Sequence, residues 1–438
     1  MLLALVGSAH IAVYLNIQGF VAMLPFVQRE FSLTGAQAGL YTSFYFLSAT
    51  IVAVFSGRIA DQIGARMGLT LGVATVGAMM VLHALSPFYG LILLLAFLTG
   101  IGFSLVTPSV SKGIIEAVAA KHRAGAMGLV HGFGGVGALL GTAVMPLLGE
   151  LYGWRVVLGG GAVIGLAIAC LIRFSYHRLA RNPHAEVDGA AAENDPDSTD
   201  AYLDAGAGSG LNGGIFKESA GPDPGTIRHD LGTLLRNRAL LSICVIGITF
   251  GFSVASATGH MALFLTGDLG YSPAVGGLGL AWFHVGGILG QPSWGYINDR
   301  LFDGRRRRGL LLLAFLISAM SLFFGLVAAG GHLSLAGLFA ACGLLGFLIL
   351  GMPGLYFTTV SELVPASLTG LSTGVALVFT RLGVVIAAPL FGLLSDMTGD
   401  YRMSWIALAG SVFFIALSVL AVSRRRLFQA RSSKPLFP

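Results

Sequence analysis

The sequence predicts an all-α membrane protein in which twelve transmembrane helices form two pseudo-symmetric six-helix bundles. Three observations indicate this fold class. First, 55% of the 438 residues are hydrophobic and only 11% are charged, whereas soluble domains average about 25% charged residues. Second, the chain contains many apolar stretches long enough to cross a bilayer, for which ~20 residues suffice. Third, the two halves of the chain share short sequence patterns.

The predicted spans form two sets of six on either side of a long polar segment. The first set covers 2–26, 37–57, 67–86, 89–111, 125–148 and 156–173, and the second covers 239–265, 275–297, 309–329, 335–357, 370–393 and 404–422. The predicted domains are an N-terminal bundle (1–173), a cytoplasmic, largely disordered linker (174–238), a C-terminal bundle (239–422) and a basic cytoplasmic tail (423–438). The 63 glycines suit close packing of membrane helices.

The basic residues predict the orientation. Lys and Arg cluster in alternate loops, and the opposite loops hold only Arg29, Arg155 and Arg402. Because cytoplasmic loops carry the excess of Lys and Arg, we expect both termini and the linker to be cytoplasmic, in a plasma (inner) membrane. The net charge of +6 then reflects topology, and no nucleic-acid partner is expected. We expect a monomer embedded in the lipid bilayer.

The linker has the composition of a disordered segment. Seven acidic residues between Glu186 and Asp204 precede a glycine-rich run, and few apolar residues remain to form a core. We interpret it as a flexible connection with a short helix near 228–238, and a regulatory partner site is the alternative. The three cysteines have no disulfide or metal-site spacing and are interpreted as packing residues: Cys170, Cys244 and Cys342.

The two halves of the chain repeat. Three residues recur 238 positions later: Gly39, Gly57 and Asp61 match Gly277, Gly295 and Asp299. Pro146 and Gly149 in span five are echoed by Pro389 and Gly392 in span eleven. Parallel six-helix repeats with a midplane site between them are the architecture of alternating-access carriers.

Two loops resemble the signature of the major facilitator superfamily, Gly-x-x-x-Asp-Arg-x-Gly-Arg-Arg. The first lies between spans two and three, and the second between spans eight and nine. The matching residues are Gly57, Asp61, Gly64 and Arg66 in the first copy and Gly295, Asp299, Arg300, Gly304 and Arg305 in the second. Gln62 replaces the family arginine, and the second copy has two extra residues before its glycine. The resemblance covers all twelve spans and implies a transporter, in an anion-transporting branch.

The resemblance also implies roles for the motif residues. Asp61 would cap the start of span eleven, where a helix N-terminus favours an anion, and hold the outward-facing state. The alternative is that the motif charges only satisfy the positive-inside rule. Gly64 and Gly304 are expected to take tight turns with positive φ. Glu116 and Glu362 are interpreted as gate or cap residues. Lys112 is either a second anion contact or, as we favour, a positive-inside anchor.

Arg381 is the strongest candidate for substrate binding. It lies near the middle of Leu368–Leu394, which holds no other charged residue, and a charge at this depth costs roughly 3 kcal/mol or more. No acidic residue lies in the middle of another apolar stretch. We therefore predict that Arg381 faces a wet cavity and binds an anion there. The alternative is a structural pairing with backbone carbonyls.

Polar residues on other predicted cavity-lining spans complete the candidate site. On most of these spans they share one helical face: His10, Tyr14 and Gln18 in span one, Tyr45 in span two, Ser253, Ser256 and His260 in span seven, and His284 in span eight. The hydroxyls can instead bond to their own helix. His284 is either a proton-transfer group or a packing residue.

The predicted function is secondary transport of a small anion, carboxylate-type or inorganic, by alternating access. The sequence shows no nucleotide-binding loop, nucleophile–base pair or metal cluster, so neither enzyme activity nor a cofactor is expected and a gradient must drive transport. Protons carried by His284 or His260, anion exchange and uniport all fit. One alternative is proton-coupled drug or metabolite efflux, which a membrane carboxylate would favour. Another is a non-transporting sensor or scaffold, which would need a sizeable soluble domain.

Overall fold

The structure is a computed structural model that describes residues 2–118, 123–180, 231–328, 330, 333–365 and 368–432. Its main helices are α1 (Leu2–Ala22), α2 (Leu24–Phe31), α3 (Gly35–Leu85), α4 (Tyr89–Ala117), α5 (Arg123–Tyr152), α6 (Trp154–Ala180), α7 (Arg238–Gly267), α8 (Pro273–Phe302), α9 (Arg306–Ala328), α10 (Leu335–Ile349), α11 (Met352–Glu362), α12 (Thr369–Thr398) and α13 (Arg402–Ser432). Eleven helices in these ranges are long and apolar enough to cross a membrane. Helices satisfy their own backbone hydrogen bonds, as the bilayer requires. The chain is therefore an all-helical, multi-span membrane protein, as predicted.

Three predicted span boundaries differ from the structure. α3 contains the second and third predicted spans as one 51-residue helix, which is interrupted at Gly64, where φ is +79°. The first and tenth predicted spans are each divided, into α1 and α2 and into α10 and α11. Pro25 and Pro353 lie in the first turns of α2 and α11, where the missing N–H group of proline costs no hydrogen bond.

Most of the predicted linker, residues 181–230, lies outside the described ranges, and residues 231–236 are helical.

Side-chain caps fix the starts of α3 and α8. Thr34 Oγ1 accepts a hydrogen bond from Gln37 N (3.2 Å), and Gln37 Oε1 accepts one from Thr34 N (2.9 Å). Ser272 Oγ accepts a hydrogen bond from Val275 N (3.4 Å), with Pro273 at the first helical position. Both are sequence patterns that begin helices. The two helices thus start at corresponding points of the repeat.

The helices form two groups that meet along two helix pairs. α1–α6 mainly contact one another, as do α7–α13, and the two groups meet where α3 packs against α12 and α5 packs against α8. A side chain at Gly39 would clash with the backbone of Ala388 in α12, and one at Gly277 would clash with Pro146 in α5. The repeated glycines therefore permit the closest contacts between the two groups.

The two helix pairs separate toward one end of the molecule. We call this the basic end, because it carries the loops rich in Lys and Arg, and the other the opposite end. On the same helix faces, but nearer the basic end, four glycines have open space around them: a Cβ at Gly57, Gly132, Gly295 or Gly374 would meet none of the described residues within 4 Å. The groups are thus packed together at the opposite end and apart at the basic end.

Asp268, a partly buried carboxylate at the opposite end, should make the stability of the protein depend on pH. Its Oδ2 accepts a hydrogen bond from Tyr401 N (2.6 Å), which joins the end of α7 to the start of α13. Burial raises the pKa of Asp268 from 3.8 to about 6; the Tyr401 N–H opposes this rise and Asp400 adds to it. Because the pKa is higher in the folded protein than in the unfolded chain, stability falls as pH rises from about 4 to about 6.

We expect Asp268→Asn to weaken this pH dependence, since an amide does not titrate. The measurement is the melting temperature of the purified protein in detergent at pH 4.5 and pH 7, for wild type and variant. An equal difference between the two pH values in both proteins would show that Asp268 is not the group responsible.

Candidate substrate-binding site

Arg381 lies where the contact between α3 and α12 ends. On the same face of α12, Ser43 Oγ of α3 donates a hydrogen bond to Val385 O (2.6 Å), and one turn further toward the opposite end Gly39 lies against Ala388. Arg381 is one turn from Val385 in the other direction. It therefore lies at the boundary between the closed and the open halves of the α3–α12 pair.

Aromatic side chains lie near Arg381. Its guanidinium carbon lies 5.2 Å from the ring centroid of Phe46 in α3, and it interacts electrostatically with the hydroxyls of Tyr45 in α3 and Tyr14 in α1. Phe103 of α4 connects the two tyrosines, with centroid distances of 5.6 Å to Tyr14 and 5.4 Å to Tyr45. We call Arg381, Phe46, Tyr45, Tyr14 and Phe103 the arginine–aromatic cluster.

The Arg381 guanidinium has a nitrogen without a hydrogen-bond acceptor in the part of the chain that the structure describes. Its Nη1 is buried and has no hydrogen-bond partner among the described residues. In the same ranges, Arg381 forms no ion pair with a carboxylate, and its electrostatic partners are the two tyrosines. The side chain as a whole is only partly buried. A partly buried cation without an anionic partner is costly, and an anion that reaches the guanidinium would remove this cost.

Two other predicted residues of α1 lie next to the cluster. The His10 ring stacks on Tyr14 with a centroid distance of 6.0 Å. Gln18 follows Tyr14 by one turn, and its Oε1 is buried without a hydrogen-bond partner in the described part of the chain. The structure therefore brings Tyr14 and Tyr45 near Arg381, with His10 stacked on Tyr14.

The polar residues predicted on one face of α7 do not all lie at the arginine–aromatic cluster. Ser253 Oγ donates to Thr249 O (2.8 Å) of its own helix, so this hydroxyl is already bonded. Ser256 Oγ is buried and has no partner in the ranges described. His260 lies at the opposite end, with Nε2 3.4 Å from Gly35 O and its ring 5.2 Å from Phe391. The structure thus places His260 in the closed contact between the helix groups.

His284 occupies the position in α8 that Phe46 occupies in α3. The two residues are 238 positions apart, the spacing of the repeat. His284 is buried, and its Nε2 has no partner among the described residues. One turn away on the same face, Ile288 lies against Gly135 of α5. His284 therefore lies on the face of α8 that meets α5, as Phe46 lies on the face of α3 that meets α12.

Two carboxylates close the opposite end, and the sequence analysis did not identify them. Asp396 of α12 accepts hydrogen bonds from Gly35 N (2.5 Å) and Ala36 N (2.8 Å) at the start of α3. Glu150 of α5 accepts one from Ala274 N (2.8 Å) at the start of α8. Ala36 and Ala274 are 238 positions apart, and a helix N-terminus stabilises an anion. We call Asp396 and Glu150 the carboxylate caps.

The first copy of the loop motif lies at the open basic end. Lys112 Nζ of α4 donates to Asp61 O (2.7 Å) and lies 4.0 Å from Asp61 Oδ1. The Asp61 side chain is 67% exposed, and within the described ranges it does not contact α12. The expected cap on span eleven would close this end, so it is incompatible with the open arrangement seen here. Lys112 lies with Asp61 at the basic end, apart from the arginine–aromatic cluster.

The second copy holds an ion-pair network within one helix group. Arg306 Nε donates to Glu362 Oε1 (2.6 Å), and Arg306 Nη1 lies 3.9 Å from Asp299 Oδ1. The remaining motif residues have local contacts or turn geometry: Arg300 donates to Tyr296 Oη (2.5 Å), Arg66 donates to Arg173 O (2.9 Å from Nε), and Gly64 and Gly304 have φ of +79° and +73°. The Glu116 side chain lies outside the described part of the chain.

Sequence comparisons relate the chain to transporters and to a membrane sensor protein. A family model described as Major Facilitator Superfamily matches residues 6–388 and 243–435. The chain is 20% identical to the hexuronate transporter of Bacillus subtilis, over 94% of this chain and 91% of the relative. It is 24% identical to the membrane sensor protein UhpC of Salmonella typhimurium, over 95% and 90%. The chain is also 27% identical to the putative transporter svop-1 of Caenorhabditis elegans. That match covers 35% of this chain and 29% of the relative's length.

Structural comparison agrees with the family match. A bacterial homolog of the human lysosomal transporter Spinster has a TM-score of 0.73 at 16% identity, covering 97% of this chain and 96% of the other. A POT family transporter has a TM-score of 0.72 at 14% identity, with coverage of 97% and 96%. The family and the fold are those of transporters and not of enzymes. The chain belongs to the major facilitator superfamily.

Proposed function

We propose that this protein is a secondary transporter that moves a small anion across the plasma membrane by alternating access, with Arg381 binding the anion. The observation that carries the proposal is the guanidinium beside aromatic rings, with a buried Nη1 that has no partner among the described residues. A carboxylate or similar group can satisfy it with charge-assisted hydrogen bonds. The relative named as a hexuronate transporter is consistent with a carboxylate substrate.

The proposed topology has twelve spans, with the basic end in the cytoplasm. The interruption at Gly64 divides α3 into two spans, which adds one to the eleven candidates. The positive-inside rule then places both termini in the cytoplasm, and the two predicted bundles correspond to the two helix groups. The described arrangement is open to the cytoplasm, with the carboxylate caps holding the outer side closed. In the outward-facing state, Asp61 would take its expected position at α12.

The titratable groups of the spans leave three coupling modes open: proton coupling, anion exchange and uniport. The middle of the described spans holds no carboxylate, so a coupled proton would be carried by His284, by His260 or by the substrate. His284 is the better placed, because it lies at the repeat position equivalent to Phe46 in the cluster. Exchange of one anion for another, and uniport, need no such group.

A second candidate function is membrane sensing, because UhpC is named a membrane sensor protein and aligns over 95% of this chain. A sensor would keep the anion site and lack turnover. Binding without transport distinguishes it from the primary proposal.

Uptake into proteoliposomes tests the proposed function. The full chain is reconstituted and offered a labelled panel of carboxylates, inorganic anions and cationic drugs. We expect accumulation or exchange of at least one anion and no cation transport. Movement of cations would support drug efflux, whereas saturable anion binding without any uptake would support the sensor.

A further inference from the structure

The arginine–aromatic cluster restricts the body of the substrate as well as its charge. We propose that the transported anion is a monocarboxylate with a flat, apolar body, such as an aromatic acid. This inference rests on the proposed function, since it concerns the same site.

The charge of the cluster matches one negative charge. Arg381 is the one permanently charged member of the cluster, because the other members are tyrosines and phenylalanines. Lys112, a cation of α4, is engaged with Asp61 at the basic end. A second carboxylate or a doubly charged phosphate would therefore bring an unpaired charge into a site of low dielectric, which is costly.

The direction of approach follows from Phe46. Its ring centroid lies 5.2 Å from the Arg381 guanidinium carbon, so the ring occupies this side of the guanidinium. The guanidinium nitrogens, which donate its hydrogen bonds, lie on the edge of its plane, and Nη1 is buried without a partner among the described residues. A carboxylate that approaches this edge lies in the same plane and can accept two parallel hydrogen bonds. The rest of the substrate then extends in or near this plane.

The walls of the cluster suit a flat, apolar body. The Phe103 ring contacts Tyr14 edge to face and Tyr45 in a tilted arrangement. Tyr14 and Phe103 are partly exposed, and such ring surfaces pack well against another ring. Ser253 and Thr249 donate to their own helix. Among the described residues this leaves few groups, such as Gln18 Oε1 and the Tyr14 and Tyr45 hydroxyls, for the several hydroxyls of a sugar acid. A hexuronate would lose water from its hydroxyls without equal replacement. The expected substrate thus differs from that of the relative named as a hexuronate transporter.

Four probe acids test the inference one property at a time. Benzoate has one charge and a flat ring, cyclohexanecarboxylate has the same charge without the flat ring, glucuronate adds hydroxyls, and phthalate adds a second charge. We expect the purified full chain to bind benzoate about tenfold more tightly than each of the others in isothermal titration, as two ring contacts would give. Phe103→Leu should lower the preference for benzoate over cyclohexanecarboxylate to about threefold. Phe414→Leu, at an exposed ring of α13, should leave it unchanged.

The outcomes separate this inference from the proposed function. If glucuronate, phthalate or cyclohexanecarboxylate binds the wild type as tightly as benzoate, the flat-monocarboxylate inference is overturned while anion transport stands. The same holds if the uptake panel finds a transported anion and none of the four acids binds. If no anion is transported or bound, both proposals fail. The comparison of the four acids uses the wild type alone, so it does not depend on the folding of a variant.

Discussion

Replacing Arg381 by alanine is expected to lower anion uptake into proteoliposomes by roughly 30- to 5,000-fold, because losing one member of a buried charge pair costs about 2–5 kcal/mol. The guanidinium is the binding group in this account, and its Nη1 has no other acceptor in the described ranges. Arg381→Lys keeps the charge but loses the planar fork. We expect it to retain part of the activity, with an apparent affinity reduced about tenfold.

The matched control is Arg402→Ala. Arg402 is an exposed arginine at the start of α13, at the opposite end of the molecule, and its removal should leave uptake within about twofold. The melting temperature and the elution profile of each variant establish that it is folded. If folded Arg381→Ala transports at the wild-type rate, Arg381 is a structural residue and proton-coupled efflux becomes the leading alternative.

Removing the charge of both carboxylate caps is expected to open the outer side. In Asp396→Asn/Glu150→Gln, charge-assisted hydrogen bonds from Gly35, Ala36 and Ala274 become neutral ones, which are weaker by about 1 kcal/mol each. The equilibrium between closed and open states should therefore shift by about tenfold or more toward the open state. The readout is labelling of Ser43→Cys, a buried position between α3 and α12, by an impermeant maleimide from the outer side.

The background for this experiment has the three native cysteines replaced by serine. Asp400→Asn is the matched control, because Asp400 also caps a helix at this end, by accepting from Arg402 N (3.0 Å), but joins no two helix groups. Its labelling rate should equal that of the parent. Unchanged labelling in the double cap variant, or an equal increase in the control, would show that the caps do not hold the outer side closed.

The sequence identified the all-helical membrane fold because lipid leaves few alternatives. Apolar stretches of spanning length must form helices there, and the eleven candidate spans of the structure lie in the predicted stretches. The boundaries were less predictable. A helix can continue through charged residues beyond the bilayer, as α3 does up to Gly64, and a proline such as Pro353 starts a new helix inside a predicted span.

The candidate site could be predicted only in part. Arg381 stood out because a lone charge in an apolar stretch is rare, and Tyr14 and Tyr45 because they lie on predicted cavity-lining helices. Phe46 and Phe103 could not be distinguished from lipid-facing aromatic residues, since their role depends on which helices meet. The one available signal for Phe46 was its adjacency to Tyr45.

The carboxylate caps were missed for a related reason. Asp396 and Glu150 lie at the ends of predicted spans, where acidic residues are ordinary, and their partners are backbone N–H groups more than 100 residues away in sequence. His260 shows the converse. It lies on the same face of α7 as the other predicted polar residues. Its position along the helix, however, places it beside Gly35, where the two helix groups are in contact at the opposite end.

The most direct test of the central claim asks whether the transported anion covers Arg381. The purified protein is treated with phenylglyoxal, which modifies accessible arginines, with and without a saturating concentration of the anion found in the uptake panel, and each arginine is quantified by mass spectrometry. We predict that Arg381 is modified in the free protein and protected by the anion, while exposed Arg402 reacts equally in both. Equal modification of Arg381 with and without the anion would contradict its role as the binding residue.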